Sequence, residues 1–271
     1  MEGNKILGII IIIAIVLSIV LVGYNAINSS VNEDNNIILL EQSMDESELN
    51  QSTLDDSAEG NLTTVNLNIN QETGGSNIKF VDNSTQIYKV VSKDDKNYTT
   101  TVTTSQENDK LDVSIDSNCS DNTIILSNKY NYNISGRIVA GGLAANLNNA
   151  SKVDELSVDV TAGGMTIKFN GGTLNSSNIK ITTGGLNIEG QPIGETHINS
   201  KIEVGGLNIR LDKPVADIFS NVEVGGTNPG KYPKISENEY KGNEFDSTEN
   251  RLILNSNITV GGLNIQPFTT K

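Results

Sequence analysis

The chain is short of the residues from which most catalytic and metal-binding sites are built. It holds one cysteine, Cys119, one histidine, His197, and no tryptophan. A lone thiol forms no disulfide within the chain. A lone imidazole leaves nothing for a Ser-His-Asp triad, a Cys-His dyad or a zinc site of several thiolates and imidazoles. The plain expectation for Cys119 is a buried, inert thiol. Aromatic side chains make up 4% of 271 residues, too few for the stacking platforms that hold single-stranded bases. Basic residues are scarce too, 19 Lys and Arg against 33 Asp and Glu, for a net charge of -14. Nucleic acid is therefore not an expected partner, because its binding is driven by Lys and Arg releasing counterions from phosphates.

Glycine pairs, by contrast, are plentiful. Val-Gly-Gly-Leu-Asn-Ile stands at 204–209 and again at 260–265. The pairs that carry the repeat are Gly141-Gly142, Gly163-Gly164, Gly184-Gly185, Gly205-Gly206, Gly225-Gly226 and Gly261-Gly262, with a degenerate copy at Gly74-Gly75. From Gly141 to Gly225 the pair returns about every 21 residues, a period that marks a repeat architecture. In most copies apolar residues lie one and three positions before the pair and one and three after it, as in Ile202, Val204, Leu207 and Ile209, with Thr183 and Thr227 among the exceptions. Two residues inserted into an alternating strand reset which side chains face inward, so both flanks can line one core only if the chain turns at the glycines. Glycine supplies the backbone freedom for such a corner and lets neighbouring coils approach.

Two topologies use a Gly-Gly corner: an antiparallel hairpin meander, or coils whose equivalent strands stack in parallel. The constant period and matched residue types favour stacking, so the expected fold is an all-β parallel β-helix or solenoid with about 21 residues per coil, over residues 134–271. Asn187, Asn208, Asn228 and Asn264, each two residues after a pair, would then form an outward hydrogen-bonded ladder. Residues 61–133 read as irregular β coils or an N-terminal cap. Val65, Leu67 and Ile69 alternate there with asparagines, and Leu111, Val113 and Ile115 with polar residues.

The rhythm breaks after Gly226, and the last pair arrives about 15 residues late. The extra stretch, 229–250, gathers Lys231, Tyr232, Lys234, Tyr240, Lys241 and Phe245. Insertions in solenoids become surface loops, often on the binding face, so these six are the candidate partner-binding residues, with a C-terminal cap as the structural alternative.

At the N-terminus, residues 6–23 are apolar but for Gly8, Ser18 and Gly23. That length suits a transmembrane helix better than a cleaved signal core, and no small-x-small cleavage pattern follows. Lys5 precedes it and no basic residue follows until Lys79, so residues 1–5 are expected in the cytoplasm and the rest outside. Residues 24–60, rich in Asn, Ser, Asp and Glu, are expected as a flexible acidic stalk, with a short helix at 37–48 as one possibility.

No phosphate loop is present, since each pair is followed by strand residues rather than by Lys-Ser/Thr and a helix. Asp112, Asp116 and Asp121 fit neither calcium loop pattern and read as solvated charge. Glu203 and Glu223, each two before a pair, would stack as like charges in neighbouring coils rather than form a hydrolytic carboxylate pair. No cofactor or metal is expected.

The stretch Ile-Lys-Ile-Thr-Thr-Gly-Gly-Leu-Asn-Ile (179–188) and its relatives resemble the putative-adhesin β-strand-repeat family of bacterial and archaeal envelope proteins. They are also similar to the C-terminal β domain of cell-wall-stress response proteins. The likeness covers residues 135–265, with Gly-Gly where those repeats often have Gly-Asp. It implies a surface β-solenoid with no catalytic residues to carry over. The expected function is a non-catalytic, single-pass membrane protein with an adhesin-like or scaffolding module outside the cell. It would touch an envelope polymer or protein through the solenoid's flank or the 229–250 loop. An envelope-stress sensor and a polysaccharide-active β-helix enzyme are the alternatives.

Overall fold

The computed structural model describes residues 49–55, 61–82, 85–93, 99–118 and 121–267. The expected cytoplasmic end (1–5), membrane anchor (6–23), helix at 37–48 and buried Cys119 lie outside the described residues. So does the stalk, apart from Leu49–Asp55, which is a strand rather than a flexible tether. No helix among the described residues is long and apolar enough to cross a membrane.

The strands run in chain order as β1 (Leu49–Asp55), β2 (Thr64–Val81), β3 (Gln86–Lys93), β4 (Thr100–Glu107), β5 (Lys110–Ser117), β6 (Asn122–Ser127), β7 (Asn131–Asn148), β8 (Lys152–Asn170), β9 (Thr173–Gln191), β10 (Glu195–Leu211), β11 (Ala216–Asn228), β12 (Lys234–Ser236), β13 (Glu239–Lys241) and β14 (Arg251–Pro267). A single 3-10 turn at Phe245–Ser247 interrupts the last connection. Each long strand is one coil of a solenoid, pairing in parallel with its neighbours over both arms. The expected all-β, parallel stack is what the chain builds. Its glycine pairs lie in register from Gly74 through Gly141, Gly163, Gly184, Gly205 and Gly261 to Gly225.

The first glycine of each pair makes the corner. In the six full copies its φ lies between +141° and +150°, a region L side chains rarely enter. The core then takes the residue three before the pair, with Ile138, Val160, Ile181, Ile202 and Ile258 buried, and Leu143, Met165, Leu186, Leu207 and Leu263 after it. One expectation is corrected. The residue immediately before the pair is not in the core, since Val204 and Val260 are half-buried and Val224 is 59% exposed. The ladder already skips Glu203, two before the glycines, so the chain starts to turn before it reaches them.

The coils do not stack in chain order. β14 sits between β10 and β11, and β2 sits between β7 on one side and the coil made by β5 and β6 on the other. Composition explains the C-terminal exchange. β11 has Thr227 where its relatives have Leu, and Pro229, which lacks a donor for an interior ladder, where they have an apolar residue. β14 carries Leu263 and Ile265, both buried, so the better core-former takes the interior slot. Short antiparallel strands close the ends: β4 on β5, β3 on β6 with β1 on β3, and β13 on β11 with β12 on β13, shielding edges that would otherwise invite pairing. Near the N-terminal end Tyr132 is buried edge-on to Phe80 at 5.2 Å, and its hydroxyl donates to the Ser127 carbonyl at 2.6 Å. Burial raises that phenol's pKa far above its ordinary value.

Candidate functional site

Outward positions on the first arm of the solenoid line up across ten strands. The central row is Thr103, Ser114, Asn68, Ser135, Ser157, Asn178, Asn199 and Asn255, ending in Phe219 and Glu239. Eight of its ten members are small and carry a hydroxyl or a primary amide, so they leave a shallow floor of donors and acceptors stepping by about 4.8 Å per coil. The floor is partly knit together. Asn255 Nδ2 donates to Asn199 Oδ1 at 3.4 Å, Asn199 Nδ2 to Asn178 Oδ1 at 3.2 Å, and Ser135 Oγ to Asn68 Oδ1 at 3.2 Å.

A row of polar side chains, several of them long and charged, flanks the floor on each side. One wall runs Asp112, Asn66, Asn133, Glu155, Ser176 and His197, and the other Asp116, Asn70, Arg137, Asp159, Lys180, Lys201 and Asn257. The trough deepens in two places that share Ser157. A cleft of about 700 Å³ lies over Asn68, Ser114 and Ser135 with Asp112 and Glu155 at its rim. A second of about 340 Å³ lies over Asn178, Asn199 and Asn255 beside Lys180 and Lys201. The first end is acidic, with Asn66 donating to Asp112 at 2.8 Å and Asn70 to Asp116 at 2.9 Å. The second end carries two lysines, Lys180 and Lys201, against one carboxylate, Asp159.

The sequence reading missed this row, although the signal was present. Asn68, Ser135, Ser157, Asn178, Asn199, Phe219 and Asn255 all stand six residues before the first glycine of a pair. Counting only apolar and acidic recurrences passes over it.

The six candidates in the insertion separate into two groups. Tyr232, Tyr240 and Phe245 are buried, packed as a plug over the C-terminal coil; burial pushes the Tyr232 phenol up. Lys241 pairs with Asp246 at 2.8 Å and lies 4.7 Å from the centre of the Phe245 ring, and the carboxylate raises its ammonium pKa. Lys231 and Lys234 are exposed. The loop is thus largely a cap, built around residues that a binding loop would present to solvent.

A latch joins this cap to the inserted strand. Arg251, first in β14, donates from Nε at 2.7 Å and Nη2 at 2.5 Å to Oε2 of Glu195, first in β10, and lies 5.0 Å from the Phe245 ring on the guanidinium side. His197 Nε2 is 2.8 Å from the other Glu195 oxygen. Arg251, then His197, hold the Glu195 carboxyl below its usual range. Asp217, nearby on β11, is shifted the other way, by burial first and then by Glu239. His197 is thereby placed in an ion-pair network. Among the described residues no group of three or more His, Cys, Asp or Glu is placed to hold a metal ion.

Two further expectations can be placed. Glu203 and Glu223 do not stack in neighbouring coils, because β14 intervenes and puts Thr259 in their row. That arrangement separates two like charges. The asparagine ladder on the second arm forms, but in the order Asn187, Asn208, Asn264, Asn228. Asn264 donates to Asn208 at 2.8 Å and Asn228 to Asn264 at 2.9 Å.

No protein-family model matches the chain, and no curated protein matches it either. Among solved structures, a putative cell adhesion protein from Clostridium sporogenes aligns with a TM-score of 0.54 and 15% identity, over 81% of this chain and 99% of that one. A putative adhesin from Parabacteroides merdae aligns at a TM-score of 0.24 and 11% identity, over 83% of this chain and 98% of that one. The first likeness is one of fold, and it agrees with the adhesin resemblance read from the repeats.

Proposed function

We propose that the chain is a non-catalytic, adhesin-like module, anchored in the membrane through residues 6–23 and displayed outside the cell, whose first-arm trough holds an envelope or surface polymer. The observation that carries this reading is the unbroken row of small hydrogen-bonding side chains in consecutive coils. A ligand with a repeating chemistry along its own axis meets the same kind of group at every step, and weak contacts sum over its length. Support from outside the chain is the fold shared with a protein described as a putative cell adhesion protein. The trough takes precedence over the insertion because the insertion's three aromatic side chains are buried in the cap.

The test uses the full chain in lipid nanodiscs and a labelled polysaccharide extract of the cell envelope. Ser157 lies on the floor where the two clefts meet, so Ser157→Phe is expected to block binding while leaving the melting temperature near that of the parent. Undiminished binding by the folded variant would sink the assignment to the trough. Protease treatment of intact cells addresses the orientation, with digestion of the β module the expected outcome.

A further inference from the structure

We propose that the trough's ligand is an acidic polysaccharide, with its hydroxyls on the Asn178, Asn199 and Asn255 amides and a carboxylate held between Lys180 and Lys201. This rests on the reading of the trough as a polymer-binding face. Lys180 and Lys201 occupy opposed positions in adjacent coils. Like charges so placed oppose each other, and neither ammonium has an ion pair or hydrogen bond among the described residues, although Asp159 stands opposite Lys180 in the next coil. In a chain with 33 acidic and 19 basic residues, counter-charges are abundant. Two lysines set side by side with a single carboxylate, Asp159, at the edge of the same cleft leave a net positive charge that suits an anion from elsewhere.

The amides beneath them point to the rest of the ligand. Asn199 and Asn255 each donate along the ladder, while the Asn178 amide nitrogen has no acceptor among the described residues. An ammonium pair beside primary amides, in a cleft of about 340 Å³, suits a carboxylate flanked by hydroxyls. At the other end, Asp112 and Glu155 border the larger cleft and reject anions. The ligand therefore carries its charge at intervals among neutral sugars. A phosphodiester polymer with few hydroxyls would leave most of the row without partners, which favours the uronate.

Hyaluronan, with one carboxylate in every second sugar, is the probe, and its carboxyl-reduced form is the neutral control. The full chain in nanodiscs is expected to bind hyaluronan about tenfold more tightly than the reduced polymer, with the difference shrinking as salt screens it. The double variant Lys180→Gln/Lys201→Gln should lose that factor, so that it binds hyaluronan and the reduced polymer alike. It should also melt no lower than the parent, since a like-charge contact is relieved. Equal affinity for the two polymers, unchanged in the double variant, would overturn the acidic ligand and leave the trough reading intact. Preference for a poly(glycerol phosphate) probe over hyaluronan would also overturn it. Failure to bind any polymer, with Ser157→Phe indistinguishable from the parent toward envelope extract, would overturn both.

Discussion

At Gly205 φ is +150°, and a Cβ added there would stand 1.5 Å from the carbonyl oxygen of Gly184 in the preceding coil. Backbone conformation and the approach of the neighbouring corner thus exclude every other residue. The second glycine of a pair is held less firmly. A Cβ on Gly226, in the terminal coil, meets nothing within 4 Å. Gly205→Ala is therefore expected to cost at least about 3 kcal/mol, combining strained backbone with a clash in the core of the stack, whereas Gly226→Ala stays within about 0.5 kcal/mol. Urea denaturation separates them, and equal losses at both sites would refute the corner geometry. The same distinction shows in the core. Ser200 donates to Ser256 at 2.9 Å inside the coil, while the buried Ser220 hydroxyl beyond it has no partner among the described residues, so the polar contact fades as the stack ends.

β14 is an element whose place depends on a few contacts at its start. The Arg251 to Glu195 ion pair sets it against β10, and Arg251 also reaches the Phe245 ring of the cap. Because the folded state lowers the Glu195 pKa, its contribution is present above the unfolded value of about 4.3 and is lost as pH falls through the lowered folded value. Protonation of Asp217 works in the opposite direction, since its folded pKa is raised and acid relieves it. In an Asp217→Asn background, amide exchange at the start of β14 is expected to accelerate below about pH 4.3, and Glu195→Gln is expected to abolish that pH step. An unchanged step in Glu195→Gln would show that the latch does not hold the strand.

Over the whole molecule, both ends are built by returning the chain to an interior slot. The coil of β5 and β6 lies outside β2, and β11 lies outside β14. In a stack laid down in chain order, deleting the last coil would uncover one neighbour. Here β14 contacts two, and the cap rides on the outer one. Truncation after Asn250 is expected to remove exchange protection from β10 as well as from β11, β12 and β13. Loss confined to β11 and the cap would mean that β11 had closed directly onto β10, with Glu203 and Glu223 brought into one row. Slow folding is a natural consequence, since pairings such as Gly205 with Gly261 join residues 56 positions apart in the chain.

Much of this protein is determined by local chemistry and is readable without coordinates. The glycine pairs specify corners because few other residues adopt their backbone, and the alternation on either side specifies two arms with one shared core. The asparagine two residues after the last four pairs, Asn187, Asn208, Asn228 and Asn264, specifies a ladder, because identical side chains in register have each other as nearest partners. The trough is written as plainly, six residues before each pair, but its members vary among Ser, Asn and Phe and draw attention only once stacking makes them neighbours. What the tertiary structure alone decided is the order of the coils. β10 and β14 carry the same Val-Gly-Gly-Leu-Asn-Ile, and although Thr227 and Pro229 mark the β11 repeat as the poorer core-former, the local pattern does not say which coil stacks on which. The choice follows from which coil tolerates an open edge, where Pro229 and Thr227 cost least, and from where Arg251 finds Glu195. It likewise turned the aromatic side chains of the 229–250 insertion inward, because the end of a solenoid exposes apolar surface that something must cover.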